Sequence, residues 1–375
     1  MKIRDISDLD KNFEKVGMQE DVRWYETKES AFRLTGVYFD DKTKMYRRFP
    51  KDIKGFSGNI VKLGTHTVGG RLSFITNSPV VAIKAVVPYA GISTRQPIAS
   101  YYGFGVYADN LYLNSIYPEV RDIVKCDDII TFEYEEMQKI PVVGFCDVYK
   151  QGLQDGFHQI DIFFPSYNGV LELFVGLKEN SEIKPPLPFA CDRKLVFYGS
   201  SIVQGGCVSH SGNDYVSMIA RRLNVDILNL GFSGNCKGEE SMAEFISSID
   251  AKLYYIAYDH NASSIEELNE RHYAFYEVLR KKNKTIPIIF ESRPNYLPTE
   301  DCQKRREIVK NTYLKAKAQG DSNVYFIDGK KFFKNQWKED CTVDGCHPND
   351  LGFFKMAEYI LPTIEKFLQR KQNYD

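Results

Sequence analysis

Four short segments of this 375-residue chain carry side chains whose types and spacing can do chemistry. In Gly199-Ser200-Ser201-Ile202 a glycine precedes two hydroxyls, and glycine lets a chain turn sharply enough to leave a serine exposed. No lysine follows Gly205 and Gly206 in the way a phosphate-binding G-x-x-x-x-G-K loop requires. In Asn229-Leu230-Gly231-Phe232-Ser233-Gly234-Asn235, Gly234 can bring its backbone N–H to a ligand, and in Tyr258-Asp259-His260-Asn261 the Asn261 amide can donate a hydrogen bond. Asp344-Gly345-Cys346-His347-Pro348-Asn349 sets a carboxylate three residues before an imidazole. One tight turn there lets Asp344 accept the Nδ1 proton of His347 and faces Nε2 to a nucleophile. Each segment alone reads equally well as a plain polar turn. Jointly they supply nucleophile, backbone donor, amide donor, base and orienting acid, which is the set acyl transfer needs.

The elements that must position these segments are legible in the second half. KLVFYG (194–199), VDILNLG (225–231), KLYYIAYD (252–259), IPIIFES (286–292) and VYFID (324–328) are short apolar runs of the fully buried, parallel type. Helical patterns lie between them: Ile265, Leu268, His272, Phe275 and Leu279 share one face, as do Phe353, Ala357, Ile360, Ile364 and Phe367, with Lys366, Arg370 and Lys371 at the last helix end. The alternation predicts an α/β fold with a doubly wound, five-stranded parallel sheet, flavodoxin-like in type. Ligands of such sheets sit beyond the carboxyl ends of the strands, where the four segments fall.

The first half reads as β. AFRLTGVYF, GRLSFITN, VVAIKAVV, GFGVYADNLYL, IITFEYEEM, HQIDIFF and VLELFVGL alternate or are β-branched between turn residues, which predicts an all-β sandwich or jelly roll. A stretch with Pro185, Pro186 and Pro188 reads as a stiff connector. The division expected is residues 1–190 as the sandwich and 191–375 as the α/β domain.

Composition narrows the partners. Lys plus Arg number 49 against 50 Asp plus Glu, a net charge of -1, which argues against nucleic acid or an anionic membrane as partner. The eight cysteines are scattered, which favours reduced thiols, and the N-terminal residues lack the apolar run of a signal peptide, so a cytoplasmic location is expected. No metal and no cofactor are expected: Cys341, Cys346 and His347 have no second ligand pair to complete a zinc site. Gly103-Phe104-Gly105-Val106-Tyr107-Ala108 matches a dinucleotide fingerprint but precedes a strand-like run, not a helix. His66, His158, His210 and His272 read as structural or surface residues. Glu291 and Arg293 read as pocket residues or a salt bridge.

On these residues the second half, from about 192 to about 370, resembles the SGNH hydrolase superfamily, the GDSL-type esterases. The resemblance implies Ser201 as nucleophile, His347 and Asp344 as its partners, and an oxyanion hole of Ser201, Gly234 and Asn261. It places Ser233, a rival nucleophile, in the oxyanion loop. Two positions depart from the family pattern: Ser200 stands for the usual Asp, and Asp259 for the usual Gly of Gly-x-Asn-Asp. The first half resembles the β-sandwich that precedes some bacterial SGNH domains, through Trp24-Tyr25, Tyr46-Arg47-Arg48-Phe49-Pro50, Gly69-Gly70-Arg71-Leu72-Ser73-Phe74 and Gly103-Phe104-Gly105-Val106-Tyr107, the last departing from Gly-x-Asp-Leu-Tyr. Proteins of this design include carbohydrate O-acetyl esterases, which implies a small-molecule ester or acetylated carbohydrate as substrate. The alternatives are a short-chain lipid or acyl esterase and an inactive glycan-binding protein.

Overall fold

The computed structural model describes residues 21–294, 299–334 and 338–369. The N-terminal residues read for a leader, and Arg370 and Lys371 of the last helix, lie outside the described residues. Antiparallel strands fill the chain as far as Lys184: β1 (Val22–Glu26), β2 (Arg33–Thr35), β3 (Tyr38–Asp40), β4 (Met45–Arg47), β5 (Arg71–Thr76), β6 (Val80–Pro88), β7 (Phe104–Ala108), β8 (Leu111–Ile116), β9 (Lys139–Asp147), β10 (His158–Phe163), β11 (Glu172–Lys178) and β12 (Ile183–Lys184). One sheet runs β1-β11-β6-β9 and the other β12-β5-β10-β7-β8, with β2 also paired to β5, at Arg71–Ser73. Alternate side chains of both sheets, among them Val81, Ile83 and Val87 of β6 and Leu72 and Phe74 of β5, meet in one core, as the alternating pattern requires. The β7–β8 hairpin turns through Asp109 and Asn110, both at positive φ (48° and 68°), the backbone that a two-residue type I′ turn demands.

One expected strand is absent. Residues 129–137 form no strand, and Ile129 and Ile130 are exposed. Their carboxylates Glu133, Glu135 and Glu136 favour solvent, while Phe132, Tyr134 and Met137 gather on Met45 and Leu171 in a small separate cluster. The proline-rich stretch is also no free spacer. Leu187 O accepts from Arg33 (2.7 Å), Pro188 O accepts from Asn224 (2.8 Å), and the Phe189 ring lies under the Arg33 guanidinium at 3.7 Å, so it is strapped to both halves.

From Lys194 the strands are parallel: β13 (Lys194–Gly199), β14 (Ile227–Gly231), β15 (Ala251–Ala257), β16 (Ile288–Glu291) and β17 (Val324–Ile327), in the order β14-β13-β15-β16-β17. Each faces helices on both sides, which is why its sequence is a continuous apolar run. Along β13, Leu195 and Phe197 enter the core shared with helices Tyr215–Leu223 and Asp350–Gln369, while Val196 and Tyr198 enter the opposite core with helices Glu240–Ser247, Ile265–Lys282 and Glu300–Ala318. Asp214 and Ser264 cap two of these helices by accepting from Ser217 N and Glu267 N.

Glu291, at the end of β16, departs from expectation. Among the described residues it makes no ion pair with Arg293; it is buried in the sheet and accepts from the Tyr255 hydroxyl. Burial, with the Asp259 charge adding to it, raises its carboxyl from 4.5 to about 8 against the opposing Tyr255 hydrogen bond. The folded state therefore holds a proton that the unfolded chain releases near pH 4.5, and this contribution to stability is lost as pH rises from there to about 8. Each pH unit in that window costs up to about 1.4 kcal/mol. Urea unfolding at pH 6 and pH 8 should show Glu291→Gln losing less stability than the parent across that step.

Candidate active site

Ser201 stands just beyond β13 in a turn that only Gly199 permits. A Cβ at Gly199 would lie 2.3 Å from Ala257 O and 2.4 Å from a Val203 methyl. The turn consumes Ser200: its hydroxyl accepts from Ile202 N (3.2 Å) and its carbonyl from Gln204 N (3.0 Å). Ser201 Oγ is left to meet His347 Nε2 at 2.9 Å, and His347 Nδ1 meets Asp344 Oδ2 at 2.9 Å.

The segment carrying the imidazole is built to hold that line. Gly345 takes a positive φ of 76°, and Asp344 Oδ1 accepts from the backbone N–H groups of Cys346 (3.0 Å) and His347 (2.8 Å). Partial burial works to raise the Asp344 carboxyl, yet the hydrogen bonds from His347 and Cys346 and the imidazole's charge bring it down to about 2. An ionised Asp344 fixes the proton on Nδ1, so Nε2 presents a lone pair to the Ser201 hydroxyl.

Beyond β14, Phe232-Ser233-Gly234-Asn235 forms a tight turn closed by Asn235 N to Phe232 O (3.0 Å). Ser233 N donates to Gln204 Oε1 (2.9 Å), whereas among the described residues no acceptor meets the N–H of Gly234 or of Ser201. Gly234 has a φ of 68°, and no heavy atom lies within 4 Å of where its Cβ would be. Asn261 ends a short 3-10 turn (Asp259–Asn261) after β15; its side-chain oxygen is buried without a partner, and its NH2 makes no hydrogen bond among the described residues. Asp344, Cys346 and His347 hold potential ligand atoms within 4.8 Å of one another, but the Asp344 and His347 atoms already bond each other and Ser201. Cys341, buried under the last helix, is not part of that group.

Residues 192–365 match the model of the GDSL-like lipase/acylhydrolase family, and residues 22–183 match the model of the N-terminus of SGNH-hydrolase-type esterases. Residues 192–365 form a GDSL-like lipase/acylhydrolase domain. The chain is an esterase with the N-terminal unit of SGNH-type esterases. Among solved structures, a Bacteroides ovatus protein described as a GDSL-like lipase superposes with a TM-score of 0.77 at 24% identity, covering 93% of this chain and 99% of that one. The salicylyl-acyltransferase SsfX3 of a tetracycline biosynthetic pathway gives 0.71 at 17%, covering 93% and 98%. An acetyl xylan esterase of the rumen bacterium Butyrivibrio proteoclasticus gives 0.54 at 12%, covering 92% and 99%. No curated protein sequence matches the chain.

In this GDSL-like esterase the antiparallel half also reaches the site, which the sequence reading did not foresee. Arg48 is buried and donates to Asn229 O (2.9 Å), Gly231 O (2.8 Å) and Leu63 O (2.6 Å), with its guanidinium 4.6 Å from the centre of the Phe232 ring. Burial lowers it to about 9, so it stays charged at neutral pH. Gln204, which holds Ser233 N, is tied to Ser166 O (3.2 Å) and His66 Nδ1 (3.0 Å); burial and then Arg48 push the His66 imidazole down to about 3. Tyr167 donates to Ser201 O (3.2 Å), Gln96 accepts from Cys207 N (2.6 Å), and Arg95 reaches Asp344 Oδ2 at 3.0 Å. Arg48 was quoted above only as part of a family-like run; nothing local marks it as a clamp on a segment so far along the chain. Three further histidines are structural: His158 pairs with Asp109, His210 stacks on Tyr112, and His272 stacks on Tyr258 and bonds Thr312.

Arg48 and Arg95 differ in burial, and their substitutions should differ accordingly. Arg48→Met takes the guanidinium donor from the buried carbonyls of Asn229 and Gly231, while Leu63 O keeps His66 N, and should cost about 3 to 5 kcal/mol in urea unfolding. Arg95 is 63% exposed, so Arg95→Ala should cost less than about 1 kcal/mol.

Proposed function

We propose that the protein is a serine esterase that removes acetyl groups from carbohydrates through an acyl-enzyme on Ser201. The observation that carries this reading is the unbroken line Ser201 Oγ, His347 Nε2, His347 Nδ1, Asp344 Oδ2, with both contacts at 2.9 Å. The Ser201 proton passes to His347 Nε2 as Oγ bonds the ester carbonyl carbon. The oxyanion that forms is held by the N–H groups of Ser201 and Gly234 and by the Asn261 amide, donors that carry no other hydrogen bond. The carbon–oxygen bond to the alcohol then breaks, and His347 returns its proton to the departing alkoxide. Water attacks the acyl-enzyme with His347 again as base, and acetate leaves as Ser201 recovers its proton. Ser233, whose hydroxyl lies beside Tyr167, plays no part in proton transfer.

The sugar is favoured over a lipid by the acetyl xylan esterase with the same fold and by the polar side chains at the strand ends. Ser201→Ala should lower kcat/KM on p-nitrophenyl acetate by at least about 10³-fold and abolish labelling by a fluorophosphonate. Full activity in that variant would overturn the assignment. Asp344→Asn, which frees the wrong tautomer, should lower kcat on the order of 10⁴-fold. Because Asp344 is ionised above about pH 2, its protonation should not set the acid limb of the rate profile. A panel of acetylated sugars beside p-nitrophenyl esters of increasing chain length separates the two substrate classes, and preference for long chains would overturn the sugar reading.

A further inference from the structure

A second Asp–His pair stands on the same rim as Ser201. β13 and β15 pair Gly199 with Ala257, and β15 and β16 pair Ile256 with Phe290, so Ser201, Asp259 and Arg293 follow equivalent positions at the ends of three neighbouring strands. Asp259 Oδ2 accepts from Arg293 N and Oδ1 meets His260 Nδ1, both at 3.1 Å. The turn is pinned from below by Arg305, which donates to the carbonyls of Asp259 (2.9 Å) and Ala262 (3.0 Å).

What this turn leaves unpaired is informative. The His260 side chain is only 9% exposed, and its Nε2 has no hydrogen-bond partner among the described residues; the same holds for the buried Nε of Arg293 and the buried Oδ1 of Asn261. Arg293 makes no ion pair with any described residue. Buried polar atoms without partners cost free energy, and these three, gathered beyond β15 and β16, are groups that a polar ligand admitted to this rim would satisfy.

The protonation of the pair sets the chemistry of that ligand. Burial, and then the charges of Arg293 and His347, hold His260 below the ordinary imidazole value although Asp259 opposes them. Asp259 is ionised: burial works to raise it, and the His260 hydrogen bond, with the N–H and guanidinium of Arg293, brings it lower. A neutral His260 gives its Nδ1 proton to Asp259, which leaves Nε2 as a fixed acceptor. A carboxylate has no proton to offer Nε2, whereas a hydroxyl can donate to Nε2 and accept from a guanidinium at once.

We propose that His260 Nε2 and the Arg293 guanidinium form a subsite for a free sugar hydroxyl neighbouring the acetylated one, the hydroxyl donating to His260 and accepting from Arg293. The proposal rests on the sugar-deacetylase reading above and adds to it that the substrate is partly, not fully, substituted around the ester.

The test compares a mono-acetylated methyl glycoside with the same compound carrying methyl ethers on its neighbouring hydroxyls, with p-nitrophenyl acetate as reference. With the full-length parent, methylation should lower kcat/KM by roughly 10- to 100-fold. In His260→Phe, which keeps a flat ring but no lone pair, the ratio of kcat/KM on the glycoside to that on p-nitrophenyl acetate should fall by a similar factor, and methylation should make little further difference. Arg293→Met should lower the same ratio. Equal turnover of free and methylated glycosides by the parent overturns the subsite, and needs no variant to fold. An unchanged ratio in His260→Phe also overturns it. Ser201-dependent hydrolysis of p-nitrophenyl acetate with no sugar acetate turned over overturns the sugar reading and the subsite together, which distinguishes the two failures.

Discussion

A buried guanidinium with no carboxylate beside it ties the two halves together where the chemistry is placed. Arg48 leaves the antiparallel half and spends its donors on backbone carbonyls of Asn229, Gly231 and Leu63. A charge in that position is tolerable because several oriented carbonyl dipoles and the Phe232 face replace its water. The consequence is structural: β14 ends at Gly231, and the turn that aims the Gly234 N–H begins at the next residue. Gly231 itself has no room for a side chain, since a Cβ would lie 2.3 Å from Gln204 N. The loop after β13 and the loop after β14 are therefore packed backbone to backbone and clamped from outside by one side chain.

This arrangement explains why the antiparallel half is more than an appendage. Gln204 and Tyr167 link the same loops to Ser166, His66 and Ser201 O, so the turn that carries Ser201 is supported by residues from the other half of the chain. Arg71, also from that half, reaches Val225 O at 2.9 Å ahead of β14. The strap from Pro185 to Phe189 adds contacts to both sides. Precision at the site depends on such support, because a donor displaced by a fraction of an ångström loses much of its effect on a developing charge.

The parallel half was legible in the sequence because each of its strands is buried on both faces and so advertises itself as an apolar run, and because Asp344 and His347 act within one turn. The choice of Ser201 over Ser200 came only from family resemblance; in the structure Ser201 Oγ meets His347 Nε2, while the Ser200 hydroxyl accepts from Ile202 N. The misread strand at 129–137 had the right alternation but no sheet to face. Glu291 was misread because a carboxylate after a strand suggests a polar rim, and nothing in its neighbours reveals the Tyr255 hydroxyl beneath. The clamp by Arg48 and the reach of Arg95 join residues far apart in the chain, so no local pattern encodes them.

Two Asp–His pairs on one rim differ in burial and in the charges around them. His347 is 24% exposed, and the Asp344 carboxylate beside it is also met by Arg95 from the solvent side. In the proposed mechanism the imidazolium of His347 can thus be stabilised by Asp344 and by water. His260 is enclosed, and a proton on its Nε2 would face the charges of Arg293 and of a protonated His347. Charging His347 during the reaction therefore makes it still harder to charge His260. The first pair can shuttle a proton while the second keeps its own, which allows one rim to combine a mobile base with a fixed acceptor.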